Sequence, residues 1–348
     1  MKYILLIFIN IFLANDFQSS VGFSTNNPSF NDCKTIKENN FEWIRVGARW
    51  ATIERKKGEF NWTRLDSIIT NASNNNLNVL LIINYGNSIY LNDSLKTNNF
   101  IQDNKIFTHD LVKPYKKFLK KLIKRYKRQI FYYEIWNEPD LKKYFNGSNS
   151  DYFNLLKISY KIIKRIHPDS FILNGGISGK NIDYWYKILS EEYSEYFDIF
   201  NFHLYKHCNK KAGLYKNYLD EVIKVTSNIN KPIWITETGL AKKNDVSSYC
   251  GGYNEKIQIS ETIRRLLINK NYGINNTFIF SLKNRCKDKT KMDCNYGYIE
   301  NPYFGTDRLK KIINDIKNNH IDMIDINNYK LSNGKVIKIM NNQIIYNN

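Results

Sequence analysis

Two short stretches place acids where strands should end. "EIWNEPD" (134–140) sets Glu138 between Asn137 and Pro139 directly after the apolar-aromatic run "IFYYEIW" (130–136), and "KPIWITETGLA" (231–241) closes a second apolar run on Glu237. An unpaired carboxylate at the end of a buried strand is costly to desolvate. Each glutamate is therefore either held in a salt bridge, the ordinary fate of an acid in a lysine-rich chain, or presented at the mouth of a pocket. Two carboxylates that face one another are the minimal equipment for cleaving a glycosidic bond. One must be protonated to release the leaving oxygen, and the other ionised to meet an oxocarbenium-like carbon.

The elements that must position these acids alternate along the chain. β-rich apolar runs are expected at 20–24, 43–48, 78–84, 130–136, 170–176, 198–205, 231–237 and 276–282, with helical patterns near 30–39, 62–75, 110–128, 151–166, 181–192, 214–228, 254–272 and 306–318. Eight such pairs predict an α/β fold, a (β/α)8 TIM barrel. A doubly wound open sheet would carry a glycine-rich phosphate turn after its first strand, and "SVGFSTNNPSF" (20–30) has none. In a barrel, catalytic side chains gather at the carboxyl ends of the strands. Glu138 follows the fourth strand and Glu237 ends the seventh, on opposite sides of the mouth. The segment 85–108 has little periodicity and reads as a loop over that mouth, and 321–348, with turn signals "SNGK" and "MNNQ", as a small β-rich tail.

Composition bounds the rest. The 348 residues are 42% hydrophobic and 15% aromatic, enough for a folded core. Residues 1–14, "MKYILLIFINIFLA", have the grammar of a signal peptide, too short to span a bilayer, so export is expected and no stable membrane span. This places the barrel at 15–320 and the tail at 321–348. In an exported chain two disulfides are expected among Cys208, Cys250, Cys286 and Cys294, leaving Cys33 over. Five sequons, at Asn61, Asn71, Asn92, Asn146 and Asn275, match the glycosylation pattern, weakly so in a chain this rich in asparagine. Neither the cysteines nor the remaining histidines show metal-ligand spacing, so no metal and no organic cofactor is expected. The net charge of +19 points to acidic partners. Its densest run, "KPYKKFLKKLIKRYKR" (113–128), puts Tyr115, Phe118, Leu119, Leu122, Ile123 and Tyr126 at helical spacing, so it reads as an amphipathic helix with a solvated basic face. No nucleic-acid motif accompanies it.

"WNEPD" after strand four, "WITETG" at strand seven, the arginine of "WIRVGARW" (43–50) in strand two and "HLY" (203–205) on strand six together resemble the clan A glycoside hydrolases, most closely family 39 and its relatives. The resemblance spans 20–318. It implies a retaining O-glycosyl hydrolase acting on an oligo- or polysaccharide, with Glu138 as acid/base and Glu237 as nucleophile. It further implies that Asn137 contacts the sugar 2-hydroxyl, that Arg45 keeps Glu237 ionised, and that Tyr205 and His203 orient groups around it. Tyr85 and Trp50, near strand ends, are candidate stacking surfaces for sugar rings. One departure stands out. Where the clan has a tryptophan on strand eight, "TFIFSLKN" (277–284) offers Ile279 or Phe280, which leaves a catalytically weak or inactive glycan-binding protein as the alternative. The basic charge tilts the expected substrate towards an anionic glycan.

Overall fold

The computed structural model describes residues 20–97, 99–179, 182–205, 212–227, 229–242, 254–274, 276–288, 290–291 and 294–347. Residues 1–14, where a signal peptide is expected, and Cys208, Cys250 and Asn275 lie outside them. The barrel strands are β1 (Ser20–Ser24), β2 (Trp43–Arg49), β3 (Asn78–Asn84), β4 (Tyr132–Asn137), β5 (Phe171–Gly176), β6 (Phe200–His203), β7 (Ile233–Thr238) and β8 (Asn276–Phe280). Around them run α1 (Phe30–Glu38), α2 (Trp50–Ile53), α3 (Thr63–Asn74), α4 (Phe100–Asp103), α5 (His109–Tyr126), α6 (Asn149–Ile166), α7 (Ile182–Glu191), α8 (Ala212–Thr226), α9 (Glu255–Asn271) and α10 (Asp307–Asn318). The strands are parallel and follow one another in the order β5-β4-β3-β2-β1-β8-β7-β6, the (β/α)8 barrel that the alternation predicts. Both faces of each strand are covered, which is why the runs are almost continuously apolar.

The seam between β5 and β6 is closed by only two bridges, Leu173 to Ile199 and Ile177 to Phe202. Two asparagines complete it. Asn201 N donates to Asn174 Oδ1 at 2.8 Å, Asn174 Nδ2 donates to Asn201 O at 2.8 Å, and Asn201 Nδ2 donates to Asn174 O at 3.1 Å. Side-chain amides here replace backbone ladder bonds that would otherwise be buried and unmade.

Period-two alternation stacks the barrel interior in layers. The lowest is aromatic: Trp43 meets Trp234 at 5.2 Å between ring centroids, Tyr132 meets Trp234 at 5.3 Å, and Leu80, Leu173 and Phe278 fill the gaps. A Cβ on Gly22 would sit 2.6 Å from that of Trp43, so only glycine admits this ring. Two residues further along each strand the filling becomes polar: Arg45 on β2, Glu134 on β4 and Thr236 on β7, with Arg45 Nε 2.6 Å from Glu134 Oε2 and both side chains buried. The next layer opens into the mouth.

α5 buries all six apolar positions expected of it and turns its lysines outward. The expected loop 85–108 begins at the cleft, which Tyr85 lines. It contains two single turns of 3-10 helix and α4, and Asn87 Nδ2 bonds Glu54 O at 2.8 Å while Tyr90 stacks on Trp50 at 5.5 Å. These contacts fasten it to the turn that follows β2. The tail forms a four-stranded antiparallel sheet, β9 (Ile321–Asp325), β10 (Asn328–Leu331), β11 (Val336–Met340) and β12 (Gln343–Asn347). Asn341 and Asn342, with φ of 49° and 59°, make the tight β11–β12 turn. Tyr329, Leu331, Ile337 and Ile339 join the barrel's own helical core, so this sheet shares the barrel's hydrophobic interior. Cys286 and Cys294 are bonded, and Cys33 is free and buried.

The Arg45–Glu134 pair yields a stability prediction. Arg45→Met leaves Glu134 buried without its cation and should cost about 3–5 kcal/mol in urea unfolding, whereas Arg45→Met/Glu134→Leu should recover most of that loss. Equal stabilities for the single and double variants would contradict the pairing.

Candidate active site

β4 delivers Glu138 through an unusual backbone. Trp136 and Glu138 have φ of 75° and 43°, in the left-handed region that non-glycine residues seldom occupy. Such strain persists where surroundings over-determine it, and it concentrates at functional sites. Here the Trp136 indole donates to Tyr144 O at 3.0 Å, and Glu138 N donates to Gly176 O at 3.1 Å. Asp140 anchors the far side by accepting from Ser178 N at 3.0 Å and Ser178 Oγ at 2.5 Å. β7 delivers Glu237 through register shifts against both neighbours, between Phe202 and His203 on β6 and between Ile235 and Thr238 on β7 itself. A bulge re-aims a side chain, and this one turns Glu237 towards the axis.

Arg45 ties the two halves together. Its Nε and Nη2 chelate Glu134 at 2.6 and 2.9 Å; Nη2 also donates to Asn137 Oδ1 at 3.1 Å. Nη1 reaches Glu237 Oε1 at 2.5 Å and Ser24 Oγ at 3.1 Å. All five guanidinium N–H groups are thus used. The bond to Asn137 fixes which end of that amide is oxygen, leaving its NH2 to face the cleft. The second oxygen of Glu237 accepts from Tyr205 Oη at 2.7 Å. His203, wholly buried, sets Nδ1 2.9 Å from Glu138 Oε1 and 3.8 Å from Glu237 Oε2. A Cβ on Gly176 would fall 2.1 Å from His203 Nε2, so glycine at this position is what lets the Nε2 edge of the imidazole approach β5.

Burial alone would raise the Glu237 carboxyl, but His203, Arg45 and Arg285, with the Tyr205 hydrogen bond, outweigh it and hold Glu237 well below the usual carboxylate range. His203 moves the other way. Burial disfavours its charged form, yet the Glu237 charge and the Glu138 hydrogen bond raise its pKa overall, with Arg45 opposing. The oxygens of Glu138 and Glu237 and a ring nitrogen of His203 lie within 4.8 Å of one another. Each Glu237 oxygen in this cluster accepts a hydrogen bond, one from Arg45 and one from Tyr205.

Arg45, Tyr85, Asn137, Glu138, Tyr205 and Glu237 therefore line one cleft, with His203 beneath it. His203 sits nearer Glu138 than Glu237, whereas the sequence reading grouped it with Glu237. Tyr85 lines the cleft with its ring 5.3 Å from that of Trp136. Trp50 does not reach it. It is fully buried in the core and donates to Glu54 Oε2 at 2.6 Å. At strand eight, Phe280 takes the cleft position and Ile279 faces the core, and the Phe280 ring packs on Tyr296 at 5.2 Å and Tyr205 at 6.3 Å. Sequence reasoning missed Glu134, which period two from Tyr132 would have placed inside beside Arg45, and the loop residues Lys143, Arg285 and Tyr296, for which no periodic signal exists.

Comparison with known proteins agrees with this geometry. The model of the cellulase family (glycosyl hydrolase family 5) matches residues 15–285. Among solved structures, the chain is similar to a family 39 glycoside hydrolase from Bacteroides cellulosilyticus WH2 (16% identity, 94% of this chain and 70% of that one, TM-score 0.67). It is also similar to a monomeric β-xylosidase from Caulobacter crescentus CB15 (12%, 92% and 73%, 0.68) and to a family 5 mannosidase from Rhizomucor miehei (14%, 83% and 86%, 0.58). No curated relative matches the sequence. With two carboxylates meeting at the strand ends of a (β/α)8 barrel and a family match across most of its length, the chain belongs to glycosyl hydrolase family 5 and is a glycoside hydrolase.

Proposed function

We propose that the chain hydrolyses O-glycosidic bonds of an oligo- or polysaccharide with retention of configuration. Supporting this is the spacing of the two acids, whose nearest oxygens lie within 4.8 Å. Inverting enzymes hold their carboxyls about 6.5–9.5 Å apart to admit a water, and retaining ones about 5–5.5 Å apart. Glu237, kept ionised by His203, Arg45 and the Tyr205 hydrogen bond, attacks the anomeric carbon. The bond to the leaving oxygen breaks, and that oxygen takes the proton of Glu138. In the second half Glu138 removes a proton from water, the water oxygen attacks the same carbon, and the ester to Glu237 breaks. The Asn137 amide, oriented by Arg45, donates to the sugar 2-hydroxyl as charge develops. Every step uses side chains of this chain alone.

His203 suits a group that must change protonation state twice per cycle, because its Nδ1 can donate to the Glu138 carboxylate or accept from the Glu138 acid. We place the activity outside the cytosol, after removal of residues 1–14, a reading supported by the Cys286–Cys294 bond.

Reducing-sugar release from neutral and acidic polysaccharides should appear in the wild type and vanish in Glu237→Gln; absence from both, with glycan binding retained, would favour the non-cutting alternative. Glu138→Gln should lose about 10²–10⁴-fold on poor leaving groups and far less on nitrophenolates, and a uniform loss would remove the acid role. Proton NMR should find the first-formed product with the substrate's anomeric configuration. Tyr205→Phe removes a donor that favours the ionised Glu237, so the folded pKa rises. The acid limb of kcat/KM should then move to higher pH by about one unit, roughly 1.4 kcal/mol of lost carboxylate stabilisation. A limb that stays fixed or moves down contradicts the assignment.

A further inference from the structure

The charges around the cleft do not balance. Four cations line it, Arg45, Arg49, Lys143 and Arg285, against Glu138 and Glu237. Arg45 is consumed by Glu134 and Glu237. Among the described residues the other three form no ion pair: Arg49 donates only to the neutral Asn26 amide at 3.3 Å, and Lys143 lies over the Tyr144 ring at 4.5 Å. Arg285 stacks on Phe280, its guanidinium carbon 4.4 Å from the ring centroid, and makes no hydrogen bond to any described residue. Stacking occupies the face of a guanidinium and leaves its N–H edge available for a planar, bidentate anion.

Arg285 is also held in place. It directly precedes Cys286, whose bond to Cys294, with Cα atoms 4.8 Å apart, closes the short loop after β8; Tyr296, just beyond Cys294, packs on the same Phe280 ring. A disulfide-closed loop thus carries a cation over the aromatic floor of the cleft, close enough for its charge to act on Glu237. We propose that Arg285, assisted by Arg49 and Lys143, is the specificity residue of a subsite for the acidic group of a sugar ring, a carboxylate or a sulfate ester, next to the scissile bond. The inference rests on the hydrolase reading and specifies its substrate as an acidic glycan. Phe280 supports the guanidinium from one face, and the N–H edge of Arg285 favours rings that bring a charge to it.

The test compares matched nitrophenyl glycosides, a neutral hexoside, its hexuronide and its 6-sulfate, on wild type, Arg285→Gln and Arg285→Lys. The readout is the ratio of kcat/KM for acidic over neutral substrate, because Arg285 also acts on Glu237 and both rates will move. Arg285→Gln should lower the ratio about 10–100-fold, Arg285→Lys should restore part of it, and Cys286→Ser/Cys294→Ser should lower it in the same direction. Whether the hexuronide or the sulfate shows the larger ratio identifies the anion. Hydrolysis with a ratio that Arg285→Gln leaves unchanged overturns the subsite while the hydrolase stands. If nothing is hydrolysed, the hydrolase reading fails separately, and calorimetry with an oligouronide and a sulfated oligosaccharide decides the subsite. Binding weakened tenfold or more by Arg285→Gln supports it; equal binding, or none by the wild type, overturns it.

Discussion

One guanidinium holds the interior of this barrel and its chemistry in a single arrangement. Arg45 is buried, and removing its charge from water is expensive unless every N–H finds a partner. It finds Glu134 twice, Glu237, Asn137 and Ser24. Those residues come from β1, β4 and β7 and Arg45 itself from β2, so the position of each strand end is felt by the others through one planar group. A lysine could not do this, because its ammonium is a compact charge without a fork.

The same group separates the two acids electrically. Glu134 absorbs one side of the guanidinium deep in the barrel, and the remaining side faces Glu237, which His203, this guanidinium and Arg285 together keep ionised despite its burial. Among the described residues, the ionisable group bonded to Glu138, after β4 on the opposite side, is the imidazole of His203. Two glutamates of identical chemistry thus stand in different surroundings, one beside a guanidinium and the other beside an imidazole, the asymmetry that the proposed division of labour requires. The backbone contributes as well, since the left-handed turns at Trp136 and Glu138 and the register shifts around Glu237 bend both strands towards the axis.

Much of this is legible in the residues alone. The alternation of apolar runs with amphipathic segments specifies the barrel because both faces of each strand must be covered, and the motifs around Glu138 and Glu237 place the acids at strand ends. What escapes sequence reasoning has physical causes. Glu134 looks like an ordinary acid inside an apolar run until Arg45 is known to stand beside it. The choice between Ile279 and Phe280 at the cleft depends on which face of β8 turns inward, a one-residue register question. His203 shifts from one glutamate to the other with the bulge at the β6–β7 pairing, which no local pattern announces. The segment 85–108 reads as an aperiodic loop, whereas its 3-10 turns and its anchors on the Glu54 carbonyl and the Trp50 ring are tertiary features that no local pattern announces.

The central claim is that Glu237, held ionised by Arg45, becomes covalently bonded to the sugar. The most direct measurement is mass spectrometry of the protein after exposure to a 2-deoxy-2-fluoro glycoside with a good leaving group, which slows the second step more than the first. The account predicts one added glycosyl mass, located by peptide fragmentation on Glu237. Turnover of that compound with no adduct, or an adduct on any other residue, would contradict it.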